Sequence, residues 1–216
     1  MTIICGIDEA GRGPVIGPLV IAGVTIKKED ESKLAVLGVT DSKLLPPKKR
    51  EEMFDELKNT VQKFEILIVP AEEIDQAVLS QTLNLNWLEA EKSCIILNRL
   101  LPEKAYIDCP STNIPEYELY IKKKLNKEMQ LFVQHKADLN HLVCGAASIL
   151  AKVTRDREIE KLKQEFNVNF GSGYSSDPLT QNFIKEHYNS YPFFRKSWDT
   201  YKNAVINKQQ KRLNQF

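Results

Sequence analysis

No uninterrupted apolar stretch in this chain approaches the roughly 18 residues of a membrane span. Its first acid, Asp8, arrives too early for a secretory signal peptide. Cysteine is scarce: Cys5, Cys94, Cys109 and Cys144 lie far apart with no C-x-x-C pair. That spacing argues against a zinc knuckle or a secreted disulfide framework, and for a reducing cytoplasm. There are only three histidines and no G-x-S-x-G elbow, so a serine-hydrolase triad has no foundation. The Walker pattern G-x-x-x-x-G-K-[ST] is missing. Gly11, Gly13 and Gly17 give G-x-G-x-x-x-G, the wrong spacing for a dinucleotide fingerprint. A net charge of +1 excludes a histone-like polybasic protein. Internal repeats and low-complexity segments are missing too.

What is present is one full domain's worth of chain. At 216 residues, surface scaling gives roughly 70% of the unfolded surface buried on folding, a sizeable core. Charge is unevenly spread. Pro70 to Glu91 carries five acids and no Lys or Arg, whereas Arg195 to Phe216 carries six basic residues against Asp199 alone. The basic end is compatible either with a solvated helix or with a face for a polyanion.

Hydrophobic patterning predicts five strands: Ile3 to Ile7, Leu19 to Ile26, Phe64 to Val69, Lys104 to Asp108 and Met129 to Val133. The near-continuous apolarity of the second suggests burial on both faces, and it is placed to form a hairpin with the first. Helices are expected after Pro46-Pro47, over Thr82 to Leu101, Pro115 to Leu125, Leu142 to Phe166, Leu179 to Tyr191 and Trp198 to Leu213. Adjacent strands first, then strands alternating with helices, predict an α/β fold with a mixed five-stranded sheet flanked by helices. The expected division is a catalytic domain over 1–178 and a helical C-terminal extension over 179–216.

Three of the strands end at or near an acid: Asp8-Glu9, Asp108, and Asp138 shortly after Val133. Open α/β sheets place their sites beyond strand ends. Asp8 and Asp108 directly follow apolar β residues, where a carboxylate is partly desolvated and needs a compensating charge. A hard divalent cation, Mg²⁺ or Mn²⁺, takes oxygen ligands and supplies that charge. Four carboxylates can hold two such ions about 3.5–4 Å apart, the arrangement that assists in-line displacement at phosphorus. Each acid taken singly also reads as a turn residue or helix cap, Asp138 included. Neighbours on a strand face opposite ways, so Asp8 and Glu9 share a site only where the strand ends or kinks between them. Gly11-Arg12-Gly13-Pro14 supplies a close-approach loop with an arginine for phosphate, and reads equally as a tight turn. Cys109 reads as a packed small side chain rather than a nucleophile.

From Gly6-Ile7-Asp8-Glu9-Ala10-Gly11-Arg12-Gly13-Pro14 to Pro18, the chain closely resembles the ribonuclease HII family, especially its archaeal branch. The likeness continues in family order at Asp41-Ser42-Lys43-Leu44, at Asp108, at His135-Lys136-Ala137-Asp138, across Ala146 to Arg157, at Gly171-Ser172-Gly173-Tyr174 and at Arg195-Lys196-Ser197-Trp198. The resemblance implies an RNase H-like fold and a metal-dependent endoribonuclease. Its substrates would be RNA–DNA hybrids and single ribonucleotides embedded in duplex DNA, cut to 3′-hydroxyl and 5′-phosphate ends. It implies that Asp8, Glu9, Asp108 and Asp138 are the metal-binding carboxylates. By the same resemblance, Gly11, Arg12 and Gly13 contact the ribonucleotide and its 2′-hydroxyl, and Tyr174 packs on the following deoxyribose. Lys43 and Arg155 would hold phosphates. A 2′-hydroxyl is what separates RNA from DNA at such a site. Two departures bear on substrate geometry: Ser175 stands where the family commonly has proline, making the loop less rigid, and Leu44 replaces a second lysine.

The final segment, Gln210-Lys211-Arg212-Leu213-Asn214-Gln215-Phe216, has a Q-x-x-L-x-x-F spacing that resembles a sliding-clamp-binding peptide. Gln210, Leu213 and Phe216 can lie together on one helical turn and enter an apolar groove. A frayed amphipathic tail fits the same residues. The alternatives to a hybrid-cutting enzyme are a related nuclease for DNA or structured RNA, and a catalytically silent binding module. The expected enzyme is a monomer with a role in DNA replication and repair.

Overall fold

A computed structural model describes residues 1–39 and 45–213, with side chains described as far as residue 207. The first two apolar runs form the expected antiparallel pair: β1 (Ile3–Ala10) lies against β2 (Leu19–Lys27), in register from Ile3 opposite Lys27 to Ala10 opposite Val20. A 3-10 turn (Lys28–Asp30) leads to α1 (Ser32–Val36), and α2 (Pro47–Thr60) starts on proline, whose missing N–H is harmless in a first turn. There follow β3 (Lys63–Val69), α3 (Ala71–Leu79), α4 (Leu85–Leu100), β4 (Lys104–Asp108), α5 (Ile114–Lys124) and β5 (Gln130–Gln134). The chain continues with α6 (Ala137–Asn140), α7 (Leu142–Phe166), α8 (Pro178–His187) and α9 (Asp199–Leu213). Among the described residues the sheet has five strands in the order β3-β2-β1-β4-β5.

β4 pairs parallel to β1, and β5 parallel to β4. Parallel neighbours need a crossover, and α4 and α5 provide the intervening helices. The consequence is functional: β1, β4 and β5 end at the same edge of the sheet. The strand-end acids are therefore gathered by topology, although 100 residues separate Asp8 from Asp108 in the sequence.

Strand β1 overruns the expected end at Ile7, because the apolar run of β2 offers pairing partners as far as Val20. Helices α1, α3 and α6 were not expected. Two are only five and four residues long, too short for periodicity to register, and α3 is hidden in the acidic stretch after Pro70, burying little besides Ala71, Ile74 and Ala77.

Contacts divide the chain into two compact units: residues 1–10, 20–68 and 85–154 in the first, and 11–19, 69–84 and 155 onward in the second. These units do not divide at residue 178, since α8 and α9 share a core with the residues after 155. The first unit's core joins β1, β2 and α2 to the small-residue half of α7, with Ala146, Ala147 and Ala151 fully buried. Those alanines let the helix backbone lie directly on the sheet. A Cβ built on Gly6 would overlap the backbone of Val143 and Cys144, so only glycine fits there. The second unit's core is aromatic, built from Phe170, Phe183, Phe193, Phe194 and Tyr201 around Ile16 and Ile159.

Candidate functional site

Within the first unit, Asp8 from β1, Asp108 from the end of β4 and Asp138 from α6 converge, each offering a carboxylate oxygen within 4.8 Å of the others. Asp8 is 5% exposed and Asp138 7%. Each acid has a local anchor. Asp8 Oδ1 accepts the Glu9 amide at 2.8 Å, and the Ser148 hydroxyl from α7 donates to the same carboxylate. Asp108 Oδ1 accepts the Ala137 amide at 3.0 Å, so one acid caps the short helix that carries another. Asp138 is inside that helix; its N-cap is Lys136, in a left-handed conformation at φ 58°. The cap reading of Asp138 is thereby replaced by one in which Asp108 does the capping.

Burial pushes the Asp8 carboxyl up to about 7, against the hydrogen bond from Ser148, and the charges of Asp108 and then Asp138 add to the rise. Three acids packed in one half-dry pocket are unstable as anions unless positive charge joins them. The donor set is all oxygen, which suits a hard divalent cation and no soft one.

Glu9 is not part of this group. With β1 regular through Ala10, Glu9 faces the side of the sheet opposite Asp8, half-buried. The strand neither ends nor kinks between the two residues, and the close cluster brings together three of the four expected carboxylates.

Ser148 was missed as a functional residue. Its signal in the sequence is a lone hydroxyl in the apolar run Ala146 to Ala151, 4% exposed in the fold. Cys109 behaves as a packed side chain: burial raises its thiol pKa, and its Sγ donates to the Ser111 carbonyl at 3.4 Å.

The second unit gathers the remaining candidates. Gly11 has φ +82°, and a Cβ there would meet the Pro18 carbonyl oxygen at 2.7 Å and Arg155 Cγ at 3.1 Å; the fold itself demands glycine. Gly13 is different. Its φ is not left-handed, and a Cβ would meet only the Tyr174 ring, at 3.9 Å, an ordinary contact. Nothing in folding requires a bare backbone at this exposed position.

Arg155 is 2% exposed. Its Nη2 donates to the Ser172 carbonyl at 2.7 Å, and its Cζ lies 5.1 Å from the centre of the Tyr174 ring. The guanidinium thus underpins the tyrosine loop and does not stand open to a phosphate, as the sequence reading had it. That loop is well tied despite Ser175. Asp177 accepts the Ser172 amide at 2.7 Å, Thr180 accepts the Gly173 amide at 3.0 Å, and the Asp177 amide donates to the Tyr174 carbonyl at 3.0 Å.

Lys43, with Leu44 beside it, and Phe216 lie outside the described residues. Gln210 and Leu213 fall on α9, where side chains are not described.

A family model described as Ribonuclease HII matches residues 5–201 of this chain. The Ribonuclease HII of Pyrococcus horikoshii is 44% identical over 203 residues, which cover 91% of this chain and 90% of that protein. The crystal structure of the ribonuclease H2 from Pyrococcus horikoshii OT3 superposes with a TM-score of 0.88 at 41% identity, covering 96% of this chain and 99% of that one. An RNase HII from Archaeoglobus fulgidus, solved in a complex with PCNA, gives a TM-score of 0.83 at 39% identity over 93% of this chain and 96% of that one.

Proposed function

The chain belongs to the ribonuclease HII family, metal-dependent endonucleases that cleave the RNA strand of RNA–DNA hybrids, and on that premise we propose a fuller activity. It cuts both hybrids and single ribonucleotides embedded in duplex DNA, by hydrolysis assisted by two divalent ions, leaving 3′-hydroxyl and 5′-phosphate ends. The observation that carries the proposal is the convergence of Asp8, Asp108 and Asp138 within 4.8 Å of one another.

Mg²⁺ or Mn²⁺ would be held by these three acids, whose burial and mutual repulsion already call for a cation. When bound, such an ion supplies Lewis acidity: it lowers the pKa of an attacking water and offsets charge on the leaving oxygen. The chain's own part is preorganisation. The Ser148 hydroxyl and the Glu9 amide hold Asp8 in one orientation, and the Ala137 amide holds Asp108, so little rearrangement accompanies the reaction. Glu9 joins as a fourth ligand only if the end of β1 turns its side chain toward the same pocket; the trio supports the proposal without it.

Ribose recognition is assigned to Gly11, Arg12, Gly13 and Tyr174. Support comes from Gly13, whose bare backbone beside the Tyr174 ring serves no purpose in folding but lets a sugar approach. Lys43 is retained as a phosphate contact, sequence-independent by nature. Because an archaeal relative forms a complex with PCNA, Gln210, Leu213 and Phe216 are proposed to engage a sliding clamp.

The test is a substrate panel with Mg²⁺ and with Mn²⁺. Duplex DNA with one ribonucleotide and a long RNA–DNA hybrid should be cut, and all-DNA and all-RNA duplexes left intact. Cleavage of the all-DNA control, or of nothing at all, would refute the assignment.

A further inference from the structure

Among the described residues Arg195 has the largest fully buried side chain, at 0% exposure. Its guanidinium donates to three backbone carbonyls of one loop: Gly11 at 2.6 Å, Arg12 at 2.9 Å and Gly17 at 3.0 Å. Trp198 stacks on that guanidinium at 5.0 Å, and its indole N–H donates to the Gly13 carbonyl at 3.1 Å. The segment between them is itself anchored. Asp75 of α3 accepts the Lys196 and Ser197 amides, each at 2.8 Å, and the Ser197 hydroxyl at 2.5 Å. All these residues belong to the second unit.

Peptide planarity gives this arrangement a direction. Among the described residues the peptide bonds are trans, so each carbonyl and the following N–H point opposite ways. Pinning the Gly11 and Arg12 carbonyls toward Arg195 therefore aims the amides of Arg12 and Gly13 away from it. The Gly13 carbonyl, pinned by Trp198, precedes Pro14, which has no N–H to aim. A charge this deeply buried requires strong partners to be tolerable, and three carbonyls plus an indole face supply them.

We propose that Arg195 and Trp198 are positioning residues for ribose recognition. They clamp the carbonyl side of the Gly11–Gly13 loop so that its amide donors are preset for a 2′-hydroxyl. The inference rests on the proposed function above, which makes this loop the ribose-reading element. It adds that discrimination between ribose and deoxyribose is tuned from beneath, by residues that touch no substrate.

The cleanest perturbation is Trp198→Phe, which keeps an aromatic ring over Arg195 and deletes one donor. Arg195→Lys, which can make fewer of the carbonyl bonds, is the companion. Binding is read by fluorescence anisotropy in EDTA, with a DNA duplex carrying one ribonucleotide and the same duplex in all-DNA form, alongside thermal unfolding. Trp198→Phe releases the carbonyl end of Gly13, the residue whose amide Arg195 aims through the Arg12 carbonyl, and the expected result is a fall of about 5-fold in the ribose-to-deoxyribose affinity ratio, the factor carried by one neutral hydrogen bond. Affinity for the all-DNA duplex and the melting temperature should hold. Arg195→Lys should reduce the ratio further. An unchanged ratio in both variants overturns the proposal. So does an equal loss on the two duplexes, which marks a merely structural role. A wild-type protein that shows no ribose preference and cuts no member of the substrate panel overturns the underlying function, and this inference with it.

Discussion

Replacing Asp8 by Asn should stabilise the metal-free protein while abolishing its activity. Burial, with Asp108 and Asp138 nearby, raises the Asp8 carboxyl from an ordinary 3.8 to about 7. The folded state therefore holds a proton that the unfolded chain releases between about pH 4 and pH 7. Stability must fall as pH rises through that window, and level off above it. Three pH units at about 1.4 kcal/mol each set an upper bound of about 4 kcal/mol for the charged form at pH 8. Asparagine has nearly the shape of the protonated acid, can still accept from the Glu9 amide, and is never charged. In EDTA at pH 8 the variant should gain about 1–4 kcal/mol over wild type, and at pH 4 almost nothing. For a chain of this size each kcal/mol moves the melting temperature by about 2–4 °C, well within reach of circular dichroism. Adding Mg²⁺ or Mn²⁺ should reverse the order, because the ion stabilises only the protein that binds it. The reasoning fails if the variant is no more stable than wild type at pH 8, or if its gain is the same at pH 4.

The two loop glycines should separate folding from recognition. Gly13→Ala should unfold like wild type yet lose about 100-fold in cleavage at a single ribonucleotide, the scale of a misplacement of about 1 Å, whereas Gly11→Ala should lower the melting temperature outright because of its φ of +82°. Ser148→Ala removes a donor to the Asp8 carboxylate; the pH-rate midpoint should move up and metal affinity fall, as measured by calorimetry. Gly6→Ala forces a methyl into the α7 backbone and should destabilise by about 3 kcal/mol, read by urea unfolding. Deleting the last seven residues should abolish binding to a sliding clamp in a pull-down while leaving hybrid cleavage intact.

Much of the catalytic reading was legible because it depends on local pattern. Apolar β-runs that stop at Asp8 and Asp108 point to the ends of strands, although β1 runs on to Ala10, and an acid closing such a run is visible without coordinates. Asp138 was singled out for following β5, although it also read as a helix cap; a cap is a through-space bond, and it is Asp108, at the end of β4, that accepts the Ala137 amide. Arg155 shows the opposite failure. The family resemblance made it a phosphate contact, but burial against Ser172 and Tyr174 is a property of packing that spacing along one helix does not encode. Arg195 and Trp198 belonged to a recognisable block whose task stayed invisible, since their partners lie more than 170 residues earlier in the chain.

Glu9 marks the boundary most clearly. Its neighbour relation to Asp8 was plain in the residues, and so was the condition for sharing a pocket, that the strand must break. Whether it breaks depended on the partner strand: β2 offers backbone bonds as far as Val20, so β1 stays regular and alternation sends the two acids to opposite faces. Residue type and local period alone determined which groups carry charge and roughly where the strands lie. Only tertiary structure decided which of them meet, because strand pairing and burial act between segments that the chain keeps far apart.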